Sequence, residues 1–176
     1  MPLATLSAVP RPRQSRLVSR EAVAGVWVML TRMPKSMPDH HDAELAIRVY
    51  ELRRDPVMRE SRAAINQKFW PKSFEDVMAV VKAEHPLNAS YRQVGSYWEM
   101  VYGFARHGIV HPDFWLESNG EGLFVFAKIA PYLEAFRKQV NPVAYRNAEW
   151  ISNESAEGRR ILAMFTERVK KALAAR

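Results

Sequence analysis

The chain has 176 residues, enough for one domain with a substantial core, because a chain of this size buries roughly 70% of the surface that its unfolded form exposes. It contains no cysteine, which excludes disulfide bonds, thiolate metal ligands and cysteine nucleophiles. A chain without cysteine fits a reducing compartment, so we expect a cytoplasmic protein.

The net charge of +7 is concentrated at the two ends of the chain. Residues 1–38 carry six basic side chains and one acidic one, and residues 159–176 carry the same numbers. The stretch between them is mildly acidic, with 14 basic and 17 acidic residues. A basic charge spread over a whole fold indicates a nucleic-acid or membrane partner, so here that expectation is limited to the termini.

The first 38 residues are basic and rich in proline, which is typical of a tail or a docking segment. Within them, the apolar run Ala22–Leu30 imitates the core of a signal peptide, but nine residues cannot span a bilayer that needs about 20. No transmembrane span is therefore predicted. Two alternatives stay open: the run docks on the body of the protein, or the natural chain starts at Met33 or Met37. The helical domain is predicted over residues 39–176.

A helical period begins at Asp39, with an apolar stripe at i, i+4 and i+7: Leu45, Val49 and Leu52. Asp55-Pro56 combines a preferred N-cap with the residue favoured at the first helical position, which predicts a second helix to about Lys68. Val57 is expected on the apolar side of that helix. Ser73 to Asp76 has the spacing of a capping box and predicts a third helix.

The central helix is predicted from about residue 89 to residue 107. One of its faces is apolar and largely aromatic: Tyr91, Val94, Trp98, Val101 and Ala105. Tyr97, Tyr102 and Phe104 widen that face, and a helix that is apolar over so much of its circumference is normally surrounded by other helices. Gly108 follows where a left-handed C-cap is expected.

The remaining helices follow in order. Residues 118–122 predict a loop, and residues 123–140 predict a helix interrupted at Pro131. Asn141-Pro142 predicts the start of a further helix through Ile151, and Ser155 predicts the start of the last one. No strand-like alternation occurs, so the predicted fold is an all-α single-domain bundle of six to eight helices around the central helix.

Three residues just after the central helix are the candidate metal ligands: His107, His111 and Asp113. Two histidines and a carboxylate form a recognised ligand set, but a helix end at Gly108 separates the two histidines. His107 also suits a helix C-terminus, and Asp113 suits a helix start. We therefore predict no metal and no cofactor.

Four tryptophans could line a ligand pocket or form part of the core, and their helical spacing favours the core: Trp70, Trp98, Trp115 and Trp150.

The segment Arg106 to His111 has an arginine, a polar residue, three further residues and a histidine. This pattern resembles the ribonuclease motif of the HEPN superfamily, whose members are all-helical bundles of similar size. The resemblance implies that His111 acts as the acid or base and that Arg106 binds the RNA phosphate across a dimer interface. Gly108, inside the motif, departs from a continuous helical presentation.

From about Ala43 to Trp150 the chain resembles an uncharacterised bacterial family of helical domains of unknown function. The resemblance lies in the charged helix YELRRDPVMRE, the aromatic helix that ends in Gly-Ile-Val, the acidic start of the next helix, and a later helix that ends near Phe136-Arg137. It implies a fold and no activity.

We therefore expect a non-enzymatic interaction or scaffold module that binds a protein partner or forms a homodimer. The alternatives are an RNA-acting enzyme using Arg106 and His111, and peripheral attachment to an anionic surface through the basic termini.

Overall fold

The computed structural model describes residues 35–176, which form nine α-helices and one 3-10 turn and contain no strand. In chain order the elements are α1 (His40–Arg54), α2 (Pro56–Lys68), α3 (Phe74–Val81), α4 (Asn88–Arg106), α5 (Pro112–Asn119), α6 (Glu121–Ile129), the 3-10 turn (Ala130–Tyr132), α7 (Leu133–Gln139), α8 (Arg146–Glu154) and α9 (Ala156–Ala174). Helix α6, the 3-10 turn and α7 follow one another without a break, as one segment interrupted at Pro131. The predicted all-α single-domain bundle is confirmed.

The division into residues 1–38 and 39–176 stays a prediction, and the apolar run Ala22–Leu30 lies outside the described residues. Within residues 35–176, no helix combines the length and the apolar character needed to cross a membrane.

Most helix starts follow from local chain chemistry. The Asp55 carboxylate accepts hydrogen bonds from the backbone N–H groups of Val57 (3.0 Å) and Met58 (3.2 Å), and Pro56 occupies the first position of α2. Ser73 and Asp76 form the predicted capping box at α3. These residues satisfy donors that every helix N-terminus leaves unpaired, so the helices begin where the sequence predicts.

Helix α4 is the centre of the bundle and packs most extensively against α2 and α8. All five residues of its predicted face are buried, and so are Tyr97 and Tyr102. Gly108 has a φ of 70°, and the Ile109 N–H reaches back to the Phe104 carbonyl at 2.9 Å, which is the hydrogen bond of a Schellman C-cap. The predicted central helix and its glycine stop are confirmed.

The loop predicted for residues 118–122 is wrong, because α5 continues to Asn119 and α6 begins at Glu121. The reason lies in the packing against α4. The Tyr102 hydroxyl donates to the Asn119 carbonyl at 2.9 Å, and Gly122 lies directly against the Trp98 ring, where no Cβ would fit. This close approach fixes a helical turn on a stretch whose composition is typical of a loop.

The helix start predicted at Asn141-Pro142 is also wrong, since α8 begins at Arg146. The Asn141 side chain accepts the Val143 N–H at 3.1 Å and forms a local turn instead. The N-terminus of α8 is capped from a distant helix, because the Glu99 carboxylate of α4 accepts the N–H groups of Asn147 (3.2 Å) and Ala148 (2.9 Å).

Two apolar residues predicted to face inward are exposed. Leu52 is 55% exposed and Val57 is 62% exposed, whereas Arg53 is buried and donates to the Ser118 carbonyl at 3.0 Å. Helix α1 packs mainly against α2 and α5, and these two helices cover only a narrow face of α1. The Arg53 guanidinium occupies that face because the last carbonyls of α5 need a donor.

Candidate functional site

Arg106 and His111, the catalytic candidates of the sequence, lie at two different helix ends. Arg106 is the last residue of α4, and its Nη1 lies 3.5 Å from the Asn147 side-chain oxygen of α8. His111 is the N-cap of α5, and its Nδ1 accepts the backbone N–H of Phe114 at 3.3 Å. This hydrogen bond gives His111 a local role at the start of α5.

The three metal candidates each have a local role. His107 is exposed at the C-cap of α4, and His111 caps α5. The Asp113 carboxylate accepts the Ser155 hydroxyl and the Glu157 N–H (3.2 Å), which ties it to the start of α9. The Ser155 hydrogen bond holds the pKa of Asp113 below its usual value. Among residues 35–176, no group of three or more His, Asp or Glu side chains is arranged to hold a metal ion.

A concave surface lies elsewhere, in an open groove of about 620 Å³ between the end of α2, the junction of α5 and α6, and α9. Its apolar lining comes from all of these elements: Trp70, Leu116, Phe124, Ile161, Met164 and Phe165. Met164 projects from α9 and is 49% exposed. Of the apolar side chains that line the groove, Met164 is therefore the one most open to solvent.

Three carboxylates also line this groove: Glu117, Glu121 and Glu157. Glu121 forms a two-point ion pair with Arg62, in which Nε lies 3.0 Å from Oε1. Glu157 pairs with Arg160 in the same way. Two of the three carboxylates are therefore neutralised within the protein.

One end of the groove, here called the basic end, is lined by Arg168 and the rings of Trp70 and Phe124. Two further basic residues, Lys128 and Arg176, contact these rings without lining the groove. The Lys128 Nζ lies 4.0 Å from the centroid of the Trp70 ring and 4.4 Å from that of Phe124. The Arg168 guanidinium carbon lies 4.8 Å from the Phe124 centroid, and that of Arg176 lies 4.6 Å from the Trp70 centroid. These distances are in the range of cation–π attraction.

Lys128 itself is only 1% exposed. Its ammonium donates to the carbonyls of Ile65 (3.2 Å) and Asn66 (3.3 Å) in the last turn of α2, and the Ile65 carbonyl also accepts the Phe69 N–H. Burial and the charges of Arg176 and Arg168 lower the pKa of Lys128 to about 7. A buried amine with a perturbed pKa beside a concave surface is typical of a functional site.

Sequence reasoning missed this site because its residues lie far apart in the chain. It assigned Trp70 and the other tryptophans to the core, and Trp98 and Trp115 are indeed fully covered, but Trp70 lines the groove. The signal that could have revealed the site is Lys128. It is the one charged residue in the run Gly122–Ile129, all of which is buried.

A smaller cavity of about 230 Å³ lies beside α4 and is lined by Tyr91, Gly95, Phe136 and Tyr145, among others. The Tyr145 hydroxyl donates to the Tyr91 hydroxyl at 2.7 Å, and burial raises the pKa of Tyr91 to about 12. Tyr145 has a φ of 53°, a left-handed conformation that is uncommon outside glycine. Both hydroxyls are neutral at physiological pH and satisfy each other, so this pair stabilises the packing of α8 on α4.

Comparison with known proteins gives one match. The family model described as Domain of unknown function (DUF4760) matches residues 38–155, from the start of α1 to the N-cap of α9. No curated protein and no solved structure matches the chain. Helix α9, one wall of the groove, follows the matched residues.

Proposed function

Because the chain belongs to the DUF4760 family of domains of unknown function, its role has to be inferred from its own surface, and we propose a non-enzymatic interaction module. The groove between α2, the α5–α6 junction and α9 binds a short apolar segment of a partner protein. Membership of an uncharacterised helical family was predicted from the sequence and is confirmed, whereas its bacterial origin stays a prediction.

The observation that carries this proposal is the apolar groove of about 620 Å³ that is open to solvent. Binding sites typically have volumes of 300 to 1,000 Å³, with mostly apolar walls and a few polar groups. Along α9 the groove extends from Glu157 to Arg168, which corresponds to about 16 Å at 1.5 Å per helical residue. This length accommodates about three turns of a partner helix with apolar residues at i, i+3 or i+4, and i+7.

RNA cleavage by Arg106 and His111 stays a prediction from the sequence motif. The hydrogen bond from the Phe114 N–H to His111 Nδ1 gives this histidine a structural role in α5, which needs no catalytic explanation. Attachment to an anionic surface through the termini also stays a prediction. Of the basic residues in α9, Arg160 and Lys170 are paired with Glu157 and Glu167.

The interaction module is tested with a displayed library of random 16-residue peptides, selected for binding to the full chain. We expect enrichment of peptides with apolar residues at helical spacing. Met164→Arg places a charge in the groove and should weaken an enriched peptide about tenfold, or about 1.4 kcal/mol. The control Met100→Arg changes a methionine of similar exposure, 43% against 49%, on α4 and away from the groove, and should leave binding unchanged.

Two results would overturn the proposal. One is the absence of enriched peptides, and the other is equal binding by the Met164→Arg and Met100→Arg variants. Sedimentation of the same variants tests self-association, the other partner expected from the sequence. A dimer that dissociates only in Met164→Arg would identify a second copy of the chain as the occupant and would replace the proposed partner.

A further inference from the structure

We propose that the basic end of the groove binds a carboxylate side chain of the partner segment, an inference that rests on the proposed function. The partner is then an amphipathic acidic segment whose apolar side chains contact the groove floor and whose Asp or Glu contacts Arg168.

The first support is the convergence of three cations on two aromatic rings. Each ring is contacted by the buried Lys128 ammonium and by one exposed arginine, Arg168 at Phe124 and Arg176 at Trp70. The rings hold the cations close together through their negative faces. Two exposed arginine charges, with the buried amine of Lys128 between the same two rings, are thus held at one end of the groove.

The second support is that these charges have no carboxylate partner in the described part of the chain. The ion pairs of residues 35–176 involve other cations, and even Glu167, next to Arg168 in sequence, pairs with Lys170 at 2.8 Å. Among residues 35–176, the charged groups that perturb the pKa of Lys128 are Arg176 and Arg168. A ligand carboxylate would relieve this repulsion, and an Arg–carboxylate pair can form two parallel hydrogen bonds.

The charges along the groove also favour an acidic peptide over a nucleic acid. Aromatic rings with arginines can also stack bases, but a nucleic-acid strand carries a phosphate at every nucleotide. The same groove also presents the carboxylate of Glu117, which is not neutralised by an ion pair among the described residues and would repel such a strand. A peptide with an acidic residue at one end would instead place that residue against Arg168 at the basic end. A basic residue about three turns away would face Glu117, which has no ion pair among the described residues.

The test uses the peptides enriched on the full chain. We expect most of them to carry Asp or Glu at one end of the apolar stripe. For one such peptide, replacing that acid by its amide should weaken binding about five- to tenfold by fluorescence anisotropy. On the Arg168→Glu chain the preference should invert, so that a lysine in place of the acid binds more tightly. The control Arg48→Glu makes the same charge change on α1, away from the groove, and should preserve the preference for the acid.

Each outcome decides between the proposals. Enriched peptides with no acidic bias, and equal binding of the acid and its amide, would overturn this inference and leave the interaction module standing. No enriched peptide would overturn both. A single-stranded oligonucleotide that binds the wild type and is lost in Arg168→Glu would assign the basic end to nucleic acid instead. Arg168 is exposed, so the variant should fold, and Arg168→Gln, which removes the charge without reversing it, should weaken the acidic peptide by a smaller factor.

Discussion

Gly122 is where helix α6 lies closest to the central helix, and Gly122→Ala tests whether that approach is as tight as the structure indicates. An added Cβ would lie 2.5 Å from Cδ2 and 2.6 Å from Cγ of Trp98, and closer still to the Tyr102 hydroxyl. Non-bonded carbon atoms attract best at about 3.5 to 4.0 Å, so the rings or the helix must move by roughly 1 Å. Neither ring has free space, because Trp98 is 3% exposed and Tyr102 is fully buried.

The expected cost follows from these contacts. Overpacking of a closed core costs about 1 to 3 kcal/mol, and a displaced Tyr102 would also lose its 2.9 Å hydrogen bond to the Asn119 carbonyl, worth about 1 kcal/mol. Alanine is favoured over glycine inside a helix by about 1 kcal/mol, which offsets part of this. We expect Gly122→Ala to lower the free energy of unfolding by about 1 to 3 kcal/mol.

Urea unfolding followed by tryptophan fluorescence measures this change, and Gly95→Ala is the matched control. Gly95 lies inside α4, but its added Cβ would meet only the Tyr145 hydroxyl at 3.8 Å, an ordinary contact. This variant should be up to about 1 kcal/mol more stable than the wild type, through helix propensity alone. If Gly122→Ala were as stable as Gly95→Ala, the close packing of α6 on α4 would be wrong.

Two further predictions concern Lys128 and His111. The pKa of Lys128 is about 7 in the folded protein and ordinarily 10.5, so the unfolded chain binds more protons between these values and stability should rise with pH from about 7 to 10. This rise is at most about 1.4 kcal/mol per pH unit, and it should be absent in Lys128→Met. Urea midpoints of both proteins at pH 6.5 and 9 measure it, and an equal change of midpoint in the wild type and in Lys128→Met would refute the prediction. His111→Ala should lose an N-cap and about 1 kcal/mol of stability, while His111→Asn retains most of it. An RNA-cleavage assay of both variants shows whether this histidine has any role beyond capping.

Features that depend on near neighbours in the chain are predictable from the order of the residues. Asp55-Pro56 and Ser73 start helices because their side chains reach N–H groups two or three residues ahead, and Gly108 ends α4 because glycine adopts a positive φ without steric cost. The width of the apolar face of α4 predicted its central position, because such a helix is stable only when other helices cover it.

Features that depend on residues far apart in the chain become visible once the helices have packed. Helix α8 starts at Arg146 because Glu99, almost 50 residues earlier, caps its N-terminus. The basic end of the groove combines Trp70, Phe124 and Arg168, which the chain separates by more than 40 residues at each step. Periodicity assigns a residue to a face of its own helix but does not specify which other helix meets that face. The proposed binding site exists only because α2, α6 and α9 pack together.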